Sequence, residues 1–187
     1  IYVYRTDVDV ADVTASGNEE SGIYFKLSSN ASIEDVDASR NGGSGIDVSE
    51  GGFISMRSVT ANDNGGNGVS ITEPDAGSLV DVTANGNGRR GLYVGEMFNL
   101  TADRVTVSEN DGYGIRLGAD VYYNEFSGVS VSDNAEGGIL ITGHSSANVF
   151  RDSTIEHNGG VGINHEQNDR NEFRNVTVRY NDDRQVE

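Results

Sequence analysis

Val82-Thr83-Ala84-Asn85-Gly86-Asn87-Gly88-Arg89-Arg90-Gly91-Leu92-Tyr93-Val94 reads as a short strand, an Asn/Gly turn and a second short strand. The rest of the chain repeats it. Aligned on the glycine that opens the second strand, the copies begin at Gly22, Gly45, Gly68, Gly91, Gly114, Gly138 and Gly162, at intervals of 23, 23, 23, 23, 24 and 24 residues. Four residues before each glycine stands an asparagine: Asn18, Asn41, Asn64, Asn87, Asn110, Asn134 and Asn158, with Asn181 opening an eighth copy. A fixed period of this length is the signature of a repeat architecture, in which each unit buries its apolar face only by stacking on its neighbours.

Strand alternation places the apolar positions of every copy on one side. Upstream of the asparagine two columns recur, Val13-Val36-Val59-Val82-Val105-Val129-Ser153-Val176 and Ala15-Ala38-Ala61-Ala84-Val107-Val131-Ile155-Val178. Downstream of the glycine come Ile23-Ile46-Val69-Leu92-Ile115-Ile139-Ile163 and Phe25-Val48-Ile71-Val94-Leu117-Ile141-His165. A third strand contributes Val10, Ile33, Met56, Leu79, Ala102, Phe126, Phe150 and Phe173. Three short strands per copy, each with one buried face, close a coil around its own core. Stacked at the strand spacing of about 4.8 Å, such coils turn like residues into columns. The recurring asparagine is expected to take the left-handed backbone conformation at its turn and to pair through its amide with the coils above and below. Glycine pairs such as Gly42-Gly43 and Gly65-Gly66 are expected to supply positive φ there.

The Asn-x-x-x-Gly-Ile/Val/Leu motif, together with Asn124-Glu125-Phe126, Asn148-Val149-Phe150 and Asn171-Glu172-Phe173, resembles the right-handed parallel β-helix of the pectate-lyase-like superfamily, in its NosD-like short-repeat form. The resemblance covers essentially all of the chain. It implies an all-β, single-stranded right-handed parallel β-helix of about eight coils, residues 1–187 forming one domain with an asparagine ladder. A leucine-rich repeat would need a Leu-x-x-Leu-x-Leu pattern that is absent. A calcium-binding nonapeptide roll would need Gly-Gly-x-Gly-x-Asp at nine-residue spacing, and that is absent too. The chain opens on Ile1-Tyr2-Val3, which reads as the second strand of a truncated copy, so a piece of a longer protein is expected, with flanking domains or a homo-oligomer covering the coil ends.

Formal net charge is -17, and of 13 basic residues only Lys26 is a lysine. So acidic a surface repels itself in dilute buffer and relaxes as salt shortens the screening length. The lysine-poor, aspartate-rich profile resembles that of haloarchaeal surface proteins, which implies an extracellular or cell-surface location; an ordinary acidic secreted protein is the other reading. The charge argues against nucleic acid, whose phosphates need clustered Lys and Arg. Absence of cysteine removes disulfides, thiolate metal sites and thiol catalysis. No run of about 18 apolar residues exists, so no membrane insertion is expected.

Two sets of residues carry candidate chemistry. Asp12, Asp35 and Asp37 are expected outward on adjacent coils, and clustered carboxylates suit Ca2+. The superfamily resemblance implies such an ion bridging lyase and acidic sugar; a solvated acidic face is the bland reading. The outward column after the glycine offers Tyr24, Asp47, Tyr93 and Arg116 as a substrate-binding groove, with Glu73, Glu96 and Asp120 on flanking loops. Exposed tyrosine stacks on sugar rings, and Arg and Asp hydrogen-bond hydroxyls and carboxylates. His157 with Glu156, Arg179 and Tyr180 reads either as an acid/base patch or as a cross-coil Glu156–Arg179 ion pair. Enzyme motifs of the superfamily are incomplete: Gly143-His144-Ser145 lacks a second glycine, and no Asp-Pro-His occurs. These residues point first to a secreted or cell-surface module binding an extended polysaccharide along an outward face. A polysaccharide lyase, hydrolase or epimerase using carboxylates and Ca2+ is the catalytic alternative, and a structural stalk, adhesin or viral tail segment the third.

Overall fold

A computed structural model describes residues 1–165 and 170–182, and it is an all-β parallel solenoid. Strands β1 (Tyr2–Tyr4) and β2 (Val8–Ala11) begin it. In the next three turns the chain runs as β3 (Ile23–Asp37), β4 (Ile46–Thr60) and β5 (Val69–Thr83), each bending around the core without leaving its ladder. Later turns break into shorter pieces: β6 (Leu92–Gly95), β7 (Leu100–Ser108), β8 (Tyr113–Leu117), β9 (Glu125–Ser127) and β10 (Ser130–Ser132). β11 (Gly137–Ile141), β12 (Val149–Glu156), β13 (Ile163–His165) and β14 (Glu172–Arg179) complete the stack.

Every paired strand lies parallel to its neighbour one repeat away. Ile23 sits beside Ile46, Ile46 beside Val69, Val69 beside Leu92 and Leu92 beside Ile115. The apolar columns read from the sequence are the core: Ile23, Ile46, Val69, Val94, Val105, Leu117, Phe126 and Ile139 are fully buried. Where Phe replaces smaller residues in the third-strand column, the rings continue the stack, Phe126 on Phe150 at 4.5 Å and Phe150 on Phe173 at 5.5 Å between centroids. About seven turns are present rather than eight, because eight asparagine rungs delimit seven intervals.

The asparagine ladder is continuous. From Asn18 to Asn158, each rung donates its backbone N–H and its side-chain amide to the side-chain oxygen of the next, at 2.8 to 3.2 Å. From Asn41 to Asn181 the rungs are buried, so these bonds satisfy polar groups that water does not reach. A second ladder runs through Asn124, Asn148 and Asn171, and starts where the Asn124 oxygen accepts the Leu100 N–H at 2.7 Å.

The corners differ from the sequence expectation. No rung asparagine of the long ladder has positive φ; the residue before it does, whether Gly17, Arg40, Asp63, Gly86, Glu109, Asp133, His157 or Tyr180, at 56° to 71°. Gly42, Gly43, Gly65 and Gly66 do not have positive φ either. They are there for clearance: a Cβ on Gly43 would come within 2.7 Å of the Ser21 nitrogen, and one on Gly42 would collide with the Glu19 carbonyl. A further left-handed column, Asp12, Asp35, Ser58, Asp81, Arg104, Gly128, Asp152 and Asn175, has φ of 51° to 60°. One such residue shifts the alternation by one. Ile33 and Val36 therefore both point inward, with exposed Glu34 and Asp35 between them.

Candidate functional site

The outward residues that follow the motif glycine form one unbroken ladder. Tyr2 lies beside Tyr24, Tyr24 beside Asp47, Asp47 beside Ser70, Ser70 beside Tyr93, Tyr93 beside Arg116 and Arg116 beside Leu140. The four residues singled out from the sequence, Tyr24, Asp47, Tyr93 and Arg116, are thus brought into line on one face. They are not the freely solvated column that alternation suggests. All four are half-buried, and Ser70 and Leu140 between and beside them are buried. The turns that follow the asparagine rungs border this ladder as a rim, Glu19, Glu20 and Gly43 facing Tyr24 and Asp47 across a recess and Arg90 reaching Tyr93.

Two open hollows mark this rim. The larger, about 560 Å3, lies between Tyr2, Tyr24 and Asp47 on the ladder and Glu19, Glu20 and Gly43 on the turns. A smaller one of about 200 Å3 is bordered by Arg89, Arg90, Asp111, Gly112 and Glu136. The Arg90 guanidinium reaches from this rim to lie 5.4 Å from the centre of the Tyr93 ring. Tyr93 itself rests against two glycines: a Cβ on Gly118 would come within 2.7 Å of its hydroxyl oxygen, and one on Gly95 within 3.0 Å. These are Gly95 and Gly118 for a packing reason that the sequence pattern alone does not disclose.

Electrostatics divide the recess into two ends. Burial raises the Asp47 carboxyl above its ordinary pKa, and a hydrogen bond with the Ser70 side chain offsets part of that shift. Burial, with the nearby charge of Arg116 next in weight, lowers the Arg90 guanidinium below its ordinary value. Glu73, Glu96 and Asp120 occupy a left-handed corner at φ of 64°, 47° and 56°; they are exposed and line neither hollow. Beyond that corner the rings of Phe98 and Tyr122 stack at 5.5 Å, with the Tyr122 hydroxyl donating to Asp120 at 3.0 Å. Sequence reasoning passed over Phe98 and Tyr122 because the 24-residue copies insert their extra residue in this variable segment.

Asp12, Asp35 and Asp37 are not gathered. Asp12 and Asp35 sit on the left-handed corner, whereas Asp37 lies two residues further along β3, half-buried, beside Thr14. Asp12 and Asp35 stay at equivalent positions on consecutive turns, the corner's shift in alternation sets Asp37 apart from them, and among the described residues no three His, Asp or Glu side chains converge as a metal site. Glu156 and Arg179 form the simpler of the two arrangements read from the sequence, an ion pair at 2.6 Å, while His157 stacks on Tyr180 at 5.2 Å. The His165 ring nitrogen is 2.9 Å from the Asn171 amide.

The family profile described as "Periplasmic copper-binding protein (NosD)" matches residues 1–151 and again residues 58–184. The chain belongs to the NosD family. This NosD-family chain gives no match among curated proteins. Among solved structures it is similar to the A-module of the mannuronan C-5 epimerase AlgE4 of Azotobacter vinelandii, with TM-score 0.81 and 17% identity over 97% of this chain and 56% of that one. It is similar to a single-substitution variant of the periplasmic alginate epimerase AlgG, with TM-score 0.83 and 17% identity over 94% of this chain and 46% of that one. Pectate lyase Pel9A aligns with TM-score 0.75 and 16% identity over 97% of this chain and 55% of its own. The chain spans about half the length of each, and the likeness establishes a shared right-handed β-helical fold.

The family description raises copper. Soft copper sites draw on thiolate, thioether and imidazole donors. This chain has no cysteine, both its methionines, Met56 and Met97, are sealed in the core, and its three histidines join no group of ligating residues among those described. Among the described residues the donor set does not fit a soft copper site. No helix among the described residues is long and apolar enough to cross a membrane.

Proposed function

We propose that this NosD-family chain is a secreted or cell-surface β-helix module that holds an extended polysaccharide in the recess along its outward ladder. The observation that carries this reading is the registered series Tyr24-Asp47-Ser70-Tyr93-Arg116, one residue per turn, sunk behind a rim with open hollows at its side. A polysaccharide is also a periodic linear object. A ladder with a step of about 4.8 Å offers ring-stacking and hydrogen-bonding groups at regular intervals along it. The neighbours' names, a mannuronan epimerase, an alginate epimerase and a pectate lyase, support a carbohydrate ligand.

Binding of a panel of soluble polysaccharides by calorimetry, in about 1 M salt to screen the acidic surface, tests the reading. At least one polymer binds, and Tyr93→Ala or Tyr24→Ala weakens it about tenfold through loss of ring contact. A folded chain that binds no polymer of the panel removes the proposal. A catalytic version draws on one observation, the half-buried Asp47 carboxyl in the outward ladder with its pKa raised by burial, since a carboxyl of shifted pKa is a candidate proton-transfer group. It requires turnover of the bound polymer that Asp47→Asn abolishes.

A further inference from the structure

We propose that Arg90 and Arg116, meeting at Tyr93 on the recess, form an anion subsite that selects a polysaccharide carrying carboxylate or sulfate groups over a neutral one. This rests on the reading of the recess as a polysaccharide site and names the class of polymer it takes.

Of the described arginines, these two alone are half-buried; the others are exposed. Exposed Arg104, Arg151, Arg174 and Arg179 each close on a carboxylate. Among the described residues Arg90 and Arg116 form no ion pair, although the chain carries 30 acidic residues against 13 basic ones. The Arg116 Nε is enclosed and has no hydrogen-bond partner. Taking a guanidinium partly out of water without a counter-charge is costly, and setting a second beside it adds repulsion. Their mutual repulsion contributes to the lowered Arg90 pKa.

An acidic group entering the recess removes both costs. A planar guanidinium fork offers paired N–H donors to carboxylate or sulfate, and the Tyr93 ring beneath Arg90 holds that fork in place. The neighbouring carboxylates do not already perform this task. Glu136 borders the smaller hollow and favours the charged Arg90, yet it makes no ion pair with it. The chain as a whole is strongly acidic and repels polyanions, so the paired arginines are a local concentration of positive charge beside the ladder.

The test titrates the folded chain with polymannuronate, dextran sulfate and unmodified dextran at about 0.1 M and about 1 M salt. At least one of the two charged polymers binds about tenfold or more tightly than dextran, and which one separates carboxylate from sulfate recognition. Arg116→Gln and Arg90→Gln each remove about tenfold of that affinity and flatten its salt dependence, whereas Arg57→Gln, an exposed arginine off the recess, changes neither. Arg116→Lys, which keeps the charge and loses the fork, falls between. Equal binding of dextran and the charged polymers, or unchanged affinity in both glutamine variants with circular dichroism unaltered, overturns the anion subsite alone. Absence of binding by all three, and by the wider panel, overturns the recess reading and this inference with it.

Discussion

The side-chain oxygen of Asn87 accepts two hydrogen bonds from Asn64, one from its backbone N–H and one from its amide, both at 3.0 Å. Asn87 passes the same pair on to Asn110 at 2.9 Å each. Both rungs are buried, so Asn87→Ala leaves two donors on Asn64 without acceptor or water. Each stranded buried group costs about 1–3 kcal/mol, and a loss of about 2–4 kcal/mol is expected. At the exposed first rung the Asn18 side chain donates to Asn41 and, among the described residues, accepts from no other rung, so Asn18→Ala costs below about 1 kcal/mol. Urea unfolding of the two variants checks the ranking; equal midpoints would remove the ladder as a source of stability.

Two glycines separate clearance from backbone freedom. Gly42 has an ordinary φ, but a Cβ there collides with the Glu19 carbonyl of the preceding turn. Gly17 has nothing within 4 Å and φ of 71°. Gly42→Ala therefore forces adjacent turns apart and costs about 1–3 kcal/mol or more, while Gly17→Ala carries only the left-handed penalty of about 1 kcal/mol. Thermal unfolding of both variants distinguishes them, and a larger loss at Gly17 would mean that the turn spacing is more compliant than the close packing implies.

The period made the columns legible. Once Gly22, Gly45 and Gly68 are aligned, Tyr24, Asp47 and Ser70 must fall beside one another, and they do. The depth of the recess was not legible, because it is set by backbone turns such as Glu19-Glu20 and Gly42-Gly43 whose excursion has no side-chain signature. Nor were the corners. Asp12, Asp35 and Asp81 adopt positive φ without being glycine, and that single conformational step separated Asp35 from Asp37. Arg90 was hidden for a related reason: it lies on a turn, and only the fold carries it to the face of Tyr93.

Surface ion pairs are expected to matter less than bulk screening. Arg104 reaches Asp81 on the preceding turn at 2.6 and 2.9 Å, with about half of each side chain exposed. Hydrogen bonding with Arg104 lowers the Asp81 pKa, yet an exposed pair of this kind contributes little net stability. With a net charge of -17, shortening the screening length from about 10 Å to about 3 Å relieves far more repulsion than it weakens attraction. Melting followed by circular dichroism should therefore rise between about 0.1 M and about 1 M sodium chloride, and Arg104→Gln should track the parent at both. A melting temperature that falls with salt would show that attractive pairs dominate.

Asp47 gives the stability a pH dependence of definite sign. Burial raises its folded-state pKa above the ordinary 3.8, against the partial offset from Ser70, so the folded chain holds this proton more tightly than the unfolded one. Stability scales with the difference in bound protons, and where the folded state binds more, it falls as pH rises. The Asp47 contribution is thus greatest below the unfolded value and declines as pH climbs from there through the raised folded value, after which it is flat. Other carboxylates titrate in the same range, so the readout is the difference between parent and Asp47→Asn. That variant keeps the shape and removes the titration; its stability relative to the parent should increase as pH rises across the window and stay constant above it. Urea midpoints taken for both chains at closely spaced pH values measure the difference directly. A difference independent of pH would place the Asp47 carboxylate in water, and the recess around it would be shallower than its half-buried ladder requires.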